Sequence, residues 1–291
     1  MSRWRISSLV GWVVLALHSH GLQAAQVVTA EGVQTEPSES RPPLEEVVAQ
    51  LPSVELHGEF SPALAAEIFL KANAAYEEGA YAKAAAGYQR LVREGFDDGR
   101  IQFNLGNALL RNGELGRAIA SYLRSRAASP REEDVRANLD FARQSIKDAI
   151  APPEPSEVLS TLFFWHFALS HRELAIGLLA VNLIFWAVLA LGLVWPSREL
   201  IRWASFLLLV LLLTLATSLL VHRFLDRPVA VIVPQEVSAH TAPEESSVVR
   251  FNLHAGTEVR VQDQRPGWMR VSLPDGQQGW IAEEWIELVY R

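Results

Sequence analysis

The stretch that decides the fold runs from Leu174 to Val221 and consists of two apolar segments on either side of a short charged turn. The first segment reads LAIGLLAVNLIFWAVLALGLVW (174–195), the turn reads PSRELIR (196–202), and the second segment reads WASFLLLVLLLTLATSLLV (203–221). A helix needs about 20 apolar residues to cross the roughly 30 Å hydrocarbon core of a bilayer, and both segments supply them. The sequence therefore predicts a transmembrane hairpin whose two outer ends lie on the same side of the membrane.

The N-terminus decides which side that is. Two arginines precede an apolar run at residues 6–17, and the small residues Ala24 and Ala25 follow, which is the layout of a secretory signal peptide over residues 1–25. The positively charged start stays inside whether or not the segment is removed, so the chain after it is exported. We therefore expect the two folded regions outside the cytoplasm, with the turn at 196–202 inside it.

Composition excludes several kinds of function. The chain has no cysteine, which removes disulfides, thiol nucleophiles, cysteine metal sites and a lipid-modified cysteine. A formal net charge of −7 argues against binding of nucleic acid. The sequence shows no phosphate-binding glycine loop, no metalloprotease motif and no activated nucleophile. We expect no catalytic residues, no cofactor and no metal site, and hence a protein that is not an enzyme.

Two segments have the composition of linkers. Residues 26–60 mix Glu, Ser and Pro without steady periodicity, which is typical of a flexible tether. Residues 151–173 begin with three prolines and continue with Phe163, Phe164 and Trp165, aromatic residues that prefer the bilayer interface.

Between these linkers, residues 61–150 contain an internal repeat. Ser61 and Pro62 are a typical cap and first residue of a helix. Four residue types recur after 34 positions: Asn73 and Asn107, Gly79 and Gly113, Ala84 and Ala118, Tyr88 and Tyr122. This period resembles the tetratricopeptide repeat, an α-helical solenoid of stacked helix pairs, in which each glycine would end the first helix of a pair in a left-handed turn. A third copy is cut short by the prolines that follow, and its single helix is predicted to cap the stack.

After the hairpin, the pattern changes to short alternating strands with frequent turns. The turns are marked by Pro266–Gly267 and by Pro274–Asp275–Gly276. Residues 227–291 resemble the bacterial SH3-like (SH3b) module on the Gly-Trp pairs at 267–268 and 279–280, and the resemblance implies a small all-β barrel. In this barrel, Trp268, Trp280 and Trp285 are candidates for ligand contact. Packing against the small core is the favoured role of Trp268 and Trp280, whereas Trp285 follows two glutamates and is expected to be more exposed.

Taken together, the sequence predicts a multidomain membrane protein made of a helical solenoid, a two-helix hairpin and a small all-β barrel. The order of these parts resembles the BatE family of bacterial aerotolerance (Bat) operons. That resemblance implies a role in stress tolerance at the cell envelope, with both folded regions in the periplasm at a bacterial inner membrane. The partners it implies are Bat membrane proteins with von Willebrand A domains and a MoxR-type ATPase.

Two functions follow as hypotheses. The first is a membrane-anchored scaffold that binds envelope proteins through the exported solenoid and the SH3-like barrel. The alternative is a module that binds peptidoglycan or senses the cell wall through the barrel, because bacterial SH3-like modules often bind peptidoglycan peptides.

The predicted protein-binding surface is the concave face made by the first helix of each repeat. The residues expected there are Phe69, Asn73, Tyr76, Glu77, Arg100, Phe103, Asn104, Asn107, Leu110 and Arg111. Asparagine is a poor residue inside a helix, so these amides are expected to bind a partner or, alternatively, to tie neighbouring helices together. The cations that tetratricopeptide domains use to clamp a terminal carboxylate are replaced here by Phe69, Asp134 and Asn138, so no such clamp is expected.

Overall fold

The computed structural model describes residues 60–148, 150, 161, 163–193, 198–221 and 228–289. The predicted signal peptide, nearly all of the tether at 26–60, and residues 151–160 and 162 of the second predicted linker segment lie outside these described residues.

Five helices form the N-terminal array. Its first helix begins where the sequence predicts, because the Ser61 hydroxyl accepts a hydrogen bond from the Leu64 N–H and Pro62 occupies the first helical position. The third begins after Asp98, whose carboxylate accepts hydrogen bonds from two backbone N–H groups. The helices are α1 (Pro62–Glu77), α2 (Tyr81–Arg93), α3 (Gly99–Arg111), α4 (Leu115–Ala128) and α5 (Glu133–Arg143).

Small residues and glycine turns explain why these helices pack in pairs. Gly79 and Gly113 have φ angles of +78° and +85°, which confirms the left-handed turns after α1 and α3. At Gly106, an added Cβ would lie 2.7 Å from the ring of Tyr122, so only glycine lets the α4 tyrosine reach α3. The Tyr122 side chain is fully buried at this contact. The helix pairs are thus as predicted, while their assignment to the tetratricopeptide family stays a prediction.

The apolar hairpin is also helical, with bounds that differ from those predicted. Helix α7 begins at His171 because Ser170 and Glu173 form a capping box ahead of the apolar residues. Helix α8 begins at Arg198, so most of the predicted turn at 196–202 is helical, since charged side chains at a helix end do not interrupt its backbone hydrogen bonds. The helices of this region whose bounds lie within the described residues are α6 (Phe164–Ala168), α7 (His171–Leu191) and α8 (Arg198–Leu220).

Both long helices are suited to a membrane by length and composition. Their mean hydropathies are 2.5 and 2.3, and most of their side chains are exposed apart from the contact between the two helices. Exposure of so much apolar surface to water would be unfavourable, whereas the hydrocarbon core of a bilayer solvates it.

The C-terminal region is an antiparallel β domain. Its strands follow the order β3-β2-β6-β5-β4-β1-β7. The turns at Gly267 and Gly276 have positive φ angles, as their sequences predict, but strands β2 and β3 were not recognised in the sequence. The strands are β1 (Val229–Ile232), β2 (Glu236–His240), β3 (Val249–His254), β4 (Glu258–Arg265), β5 (Trp268–Ser272), β6 (Gln278–Ala282) and β7 (Ile286–Leu288).

The two folded regions share their apolar packing. The β domain has its own core, in which Met269, Val271 and Ile281 are almost fully buried. Two further residues of this domain, Val231 and Val289, instead belong to the core of the helical array. The array and the β domain therefore form one packed body rather than two domains on a string.

Candidate partner-binding surfaces

The predicted concave face of the array contains a buried pair of polar side chains from α1 and α2. The Tyr88 hydroxyl donates a hydrogen bond of 2.6 Å to the Asn73 amide oxygen. Burial raises the pKa of the Tyr88 hydroxyl above its usual range, so the group stays a neutral donor. The amide nitrogen of Asn73 is buried and has no hydrogen-bond partner within the described part of the chain.

The same pair recurs one repeat later with an additional partner. The Tyr122 hydroxyl donates to the Asn107 amide oxygen at 2.7 Å, and the Asn138 amide nitrogen of α5 donates to the same oxygen at 2.8 Å. Asn107 is only 1% exposed. Three helices are thus joined at one oxygen atom, and this geometry fits the alternative interpretation, in which the asparagines tie the stack together.

The remaining predicted residues divide into a buried and an accessible group. Asn104 contacts the Tyr88 hydroxyl, and Arg111 lies beside the Tyr76 hydroxyl. Burial raises the pKa of Tyr76, and the positive charge of Arg111 offsets part of that increase. The buried members of the predicted face are Asn73, Phe103, Asn104, Asn107 and Leu110. The accessible or half-buried members are Phe69, Tyr76, Glu77, Arg100 and Arg111. Only this second group offers side chains to a partner, and its partner stays a prediction.

A second surface lies on the outer face of the β domain, and of its residues only the tryptophans were candidates from the sequence. Arg270 of β5 is directly opposite Trp280 of β6, which is opposite His240 of β2. The guanidinium groups of Arg265 and Arg270 lie 5.2 and 5.8 Å from the centroid of the Trp280 ring, and Trp280 is only 7% exposed beneath them. The buried Nε of Arg270 has no hydrogen-bond partner in the described residues.

Trp268 extends this outer face. The Trp268 and His240 rings pack edge to face, with 5.7 Å between their centroids, and the Trp268 side chain is half-buried. An indole beside two guanidinium groups offers an apolar surface together with donors for a carboxylate. The two arginines of this surface could not be identified from the sequence, because Arg265 and Arg270 look like ordinary charges on exposed strand positions.

Trp285 occupies a different position from the other two tryptophans. It ends a short 3-10 helix (Glu283–Trp285), is half-buried, and packs partly against the core of the β domain. Its backbone carbonyl accepts a hydrogen bond from the Val233 N–H. It is therefore more accessible than Trp280, as the sequence predicts, while its role in ligand contact stays a prediction.

The two surfaces are held together by a polar junction between α4 and strand β7. Arg124 donates to the Glu287 carboxylate at 2.7 Å and to the backbone carbonyls of Leu288 and Val289. A second ion pair joins Arg143, at the end of α5, to Glu258 of β4 at 2.8 Å. Both arginines are mostly buried, with side-chain exposures of 21% and 18%.

Asp148 adds a further contact across the junction. Its carboxylate accepts hydrogen bonds from the His254 backbone N–H at 2.8 Å and from the Thr257 hydroxyl, and it lies 2.6 Å from His254 Nδ1. Burial alone would raise the pKa of Asp148, but the bonds from Thr257 and His254 outweigh it and hold the pKa below its usual value. The segment after α5 is thereby fixed to the β domain.

The apolar part of the junction depends on close approach. An added Cβ at Gly116 of α4 would overlap the Ile232 carbonyl oxygen, and one at Gly256 would lie 2.9 Å from a methyl of Ile119. Helix and strand backbones are therefore in direct contact here.

The array also contacts the hairpin. Arg131, in the turn between α4 and α5, donates to the Ala168 carbonyl at 3.1 Å and forms an ion pair with Glu173 at the start of α7. Nearby, His166 Nδ1 lies 2.8 Å from the Ser218 hydroxyl of α8. These contacts place the array directly at one end of the hairpin.

Potential metal ligands do not cluster anywhere in the described residues in groups of three or more.

Comparison with curated proteins finds no match to the chain. Comparison with protein families finds a match in the C-terminal region of the chain. The family model described as bacterial SH3 domain matches residues 233–287, so the β domain carries a bacterial SH3 domain, while the array and the hairpin lie outside the match.

Proposed function

We propose that this chain is a non-enzymatic scaffold anchored in the bacterial inner membrane, which binds envelope proteins through its helical array and its SH3 domain. The bacterial SH3 domain supports a binding role at the envelope. The two apolar helices support anchoring in a membrane. Within the described residues, the polar groups of the array serve packing or lie open on its inner face, which suits binding of a partner.

The observation that carries this proposal is the junction between the array and the β domain. Ion pairs from Arg124 and Arg143, the bonds to Asp148 and a shared apolar core join the two regions. Because several contacts act together, neither region rotates freely, and two partners bound to the two surfaces are held at a fixed separation. Fixing partners relative to each other and to a membrane is the physical task of a scaffold.

Orientation and partners belong to the same proposal. The signal-peptide pattern at residues 1–25 supports export of both folded regions. The resemblance of the domain order to the BatE family supports partners of the Bat type, namely membrane proteins with von Willebrand A domains that work with a MoxR-type ATPase.

The alternative function is binding of peptidoglycan by the SH3 domain. The outer face around Trp280 favours it, because the indole of Trp268 offers a stacking surface and Arg265 offers an exposed guanidinium group. Peptidoglycan peptides carry carboxylates, which pair well with arginine.

Capture of partners from detergent-solubilised membranes tests the scaffold proposal with the full-length chain. Glu77 lies on the inner face of the array, and its neighbour Glu78 is also exposed, at the end of α1. We expect Glu77→Arg to lose a specific envelope protein, identified by mass spectrometry, that Glu78→Arg retains. Equal capture by both variants would contradict binding at the inner face.

Co-sedimentation of the solubilised chain with purified sacculi tests the alternative. A scaffold stays in the supernatant. Saturable sedimentation that is lost with Arg265→Ala or Trp285→Ala, and retained with Arg260→Ala on the same strand as Arg265, would establish peptidoglycan binding instead.

A further inference from the structure

Asn182 is a polar residue at the centre of α7. It lies eleven residues after His171 and nine before Leu191, the two ends of the helix. If α7 spans the bilayer, a point that rests on the proposed function, the Asn182 amide lies near the middle of the hydrocarbon core.

The amide has no partner in the structure. Its side chain is exposed, and no hydrogen bond joins it to α8 or to any other part of the chain that the structure describes. A carboxamide has two donors and an oxygen acceptor, and lipid tails satisfy none of them. A polar side chain that faces lipid in this way is stabilised when another helix supplies donors and acceptors.

The face around Asn182 is free for such a helix. Leu179 and Trp186 lie three residues before and four residues after it, on the same side of the helix, and are 66% and 61% exposed. The packed side of α7 lies elsewhere, where Leu174 is fully buried and Gly177 faces Leu215 of α8.

We propose that this face of α7, formed by Leu179, Asn182 and Trp186, binds the same face of a second copy of the chain within the membrane. Every copy inserts with the same orientation, so two α7 helices meet in parallel and place both Asn182 amides at the same depth. A carboxamide complements itself, because each oxygen accepts an N–H from the other amide. A different partner would need its own polar group at the middle of the membrane, whereas a second copy provides one automatically.

The absence of cysteine from the chain makes the test direct. Single cysteines are introduced into the full-length protein in its native membranes as Leu179→Cys, Trp186→Cys and, as a control, Ile184→Cys. Ile184 lies at nearly the same depth and is 51% exposed, but it is rotated by about 200° from Asn182. Under mild oxidation, we expect disulfide-linked dimers from the first two variants and few from the control.

The role of the amide is tested in the Leu179→Cys background. Asn182→Leu should weaken association roughly three- to thirtyfold, the range measured for hydrogen bonds between membrane helices, whereas Asn182→Gln should retain the dimer. Equal cross-linking at Leu179→Cys and Ile184→Cys, or an undiminished dimer with Asn182→Leu, would overturn the proposal.

Two controls separate this proposal from the one on which it rests. Extraction of the protein by alkaline carbonate would show that the hairpin does not span the membrane, and the scaffold proposal would fail with it. Retention in the membrane without cross-linking would leave the anchor in place and refute only pairing of copies. Capture of a different membrane protein that depends on Asn182 would likewise refute the second copy as the occupant.

Discussion

At the scale of single residues, the asparagines of the array act mainly within the stack. Asn73 and Asn107 each accept a hydrogen bond from the tyrosine that follows fifteen residues later. Propensity alone indicated that these amides have a purpose, but it did not distinguish a partner from a neighbouring helix. The difference lies in burial, which depends on how the helices stack.

Asn107→Ala should therefore lower stability more than it lowers partner affinity. The change leaves the Tyr122 hydroxyl and the Asn138 amide without their buried acceptor, and such a loss costs about 1 to 3 kcal/mol. Asn73→Ala is the matched control. We expect it to lower the free energy of unfolding by less, because the Asn73 oxygen accepts a hydrogen bond from Tyr88 alone, whereas the Asn107 oxygen accepts two. Chemical unfolding of the purified full-length chain in detergent measures both, and an unchanged unfolding midpoint for Asn107→Ala would contradict the structural role.

Asp148 makes the stability of the junction dependent on pH. Its pKa is lowered in the folded chain, so its contribution is present above the unfolded value of about 3.9 and is lost as the pH falls through the lower folded value. Asp148→Asn should thus be less stable than the natural chain at pH 7, and the difference should shrink below about pH 4. Thermal unfolding measured across this range checks the sign, and a difference that grows toward low pH would contradict it.

At the scale of elements, helices were easier to predict than strands. The 34-residue period and the Gly79 and Gly113 turns located the helix pairs, because local geometry determines both. Strand β2 (Glu236–His240) and strand β3 (Val249–His254) escaped recognition although both alternate polar and apolar residues, as EVSAH and VRFNLH, so this pattern was present in the sequence and was missed. Their strand structure is stabilised by pairing with each other and, through His240, with β6.

Gly116 shows how an element depends on its neighbour. In an isolated helix, Gly→Ala stabilises by up to about 1 kcal/mol, but here the new methyl group would overlap the Ile232 backbone. We expect Gly116→Ala to destabilise the junction by about 1 to 3 kcal/mol, the usual cost of overpacking. Limited proteolysis in the segment after α5 measures this opening.

Gly177→Ala is the control for that experiment. Its Cβ would meet only a methyl of Leu215 at 3.9 Å, an ordinary contact, and protease resistance should be unchanged. If Gly116→Ala were as resistant as the natural chain, the close approach between α4 and β1 would not hold.

At the scale of the whole molecule, the junction could not be predicted from the sequence. Arg124 and Glu287 are separated by 163 positions in the sequence. Arg143 and Glu258, the other ion pair of the junction, are separated by 115. Each residue alone resembles a solvated surface charge, and nothing local marks its partner. The same holds for Arg265 and Arg270, which reveal their contact with Trp280 only once three strands are side by side.

The orientation of the molecule in the membrane is tested by labelling. Single cysteines at Glu78→Cys, in the array, and Gln277→Cys, in the SH3 domain, should react with a membrane-impermeant maleimide in cells with a permeabilised outer membrane. Ser197→Cys, which falls between the two long helices in the sequence, should react only after the inner membrane is broken. Labelling of Ser197→Cys in intact inner membranes, or protection of either other site, would reverse the proposed orientation.

The shared core has a consequence for how the chain is made. Val231 and Val289 complete the packing of a helical array whose first residue precedes them by well over a hundred positions. The ribosome must therefore synthesise the chain as far as Val289 before the helical array acquires its full core. In the proposed orientation, the translocation machinery must also export strand β7 after the hairpin has been inserted. Until then, the array lacks the apolar residues that complete its core, and this incompletely packed surface is exposed to proteases beside the membrane.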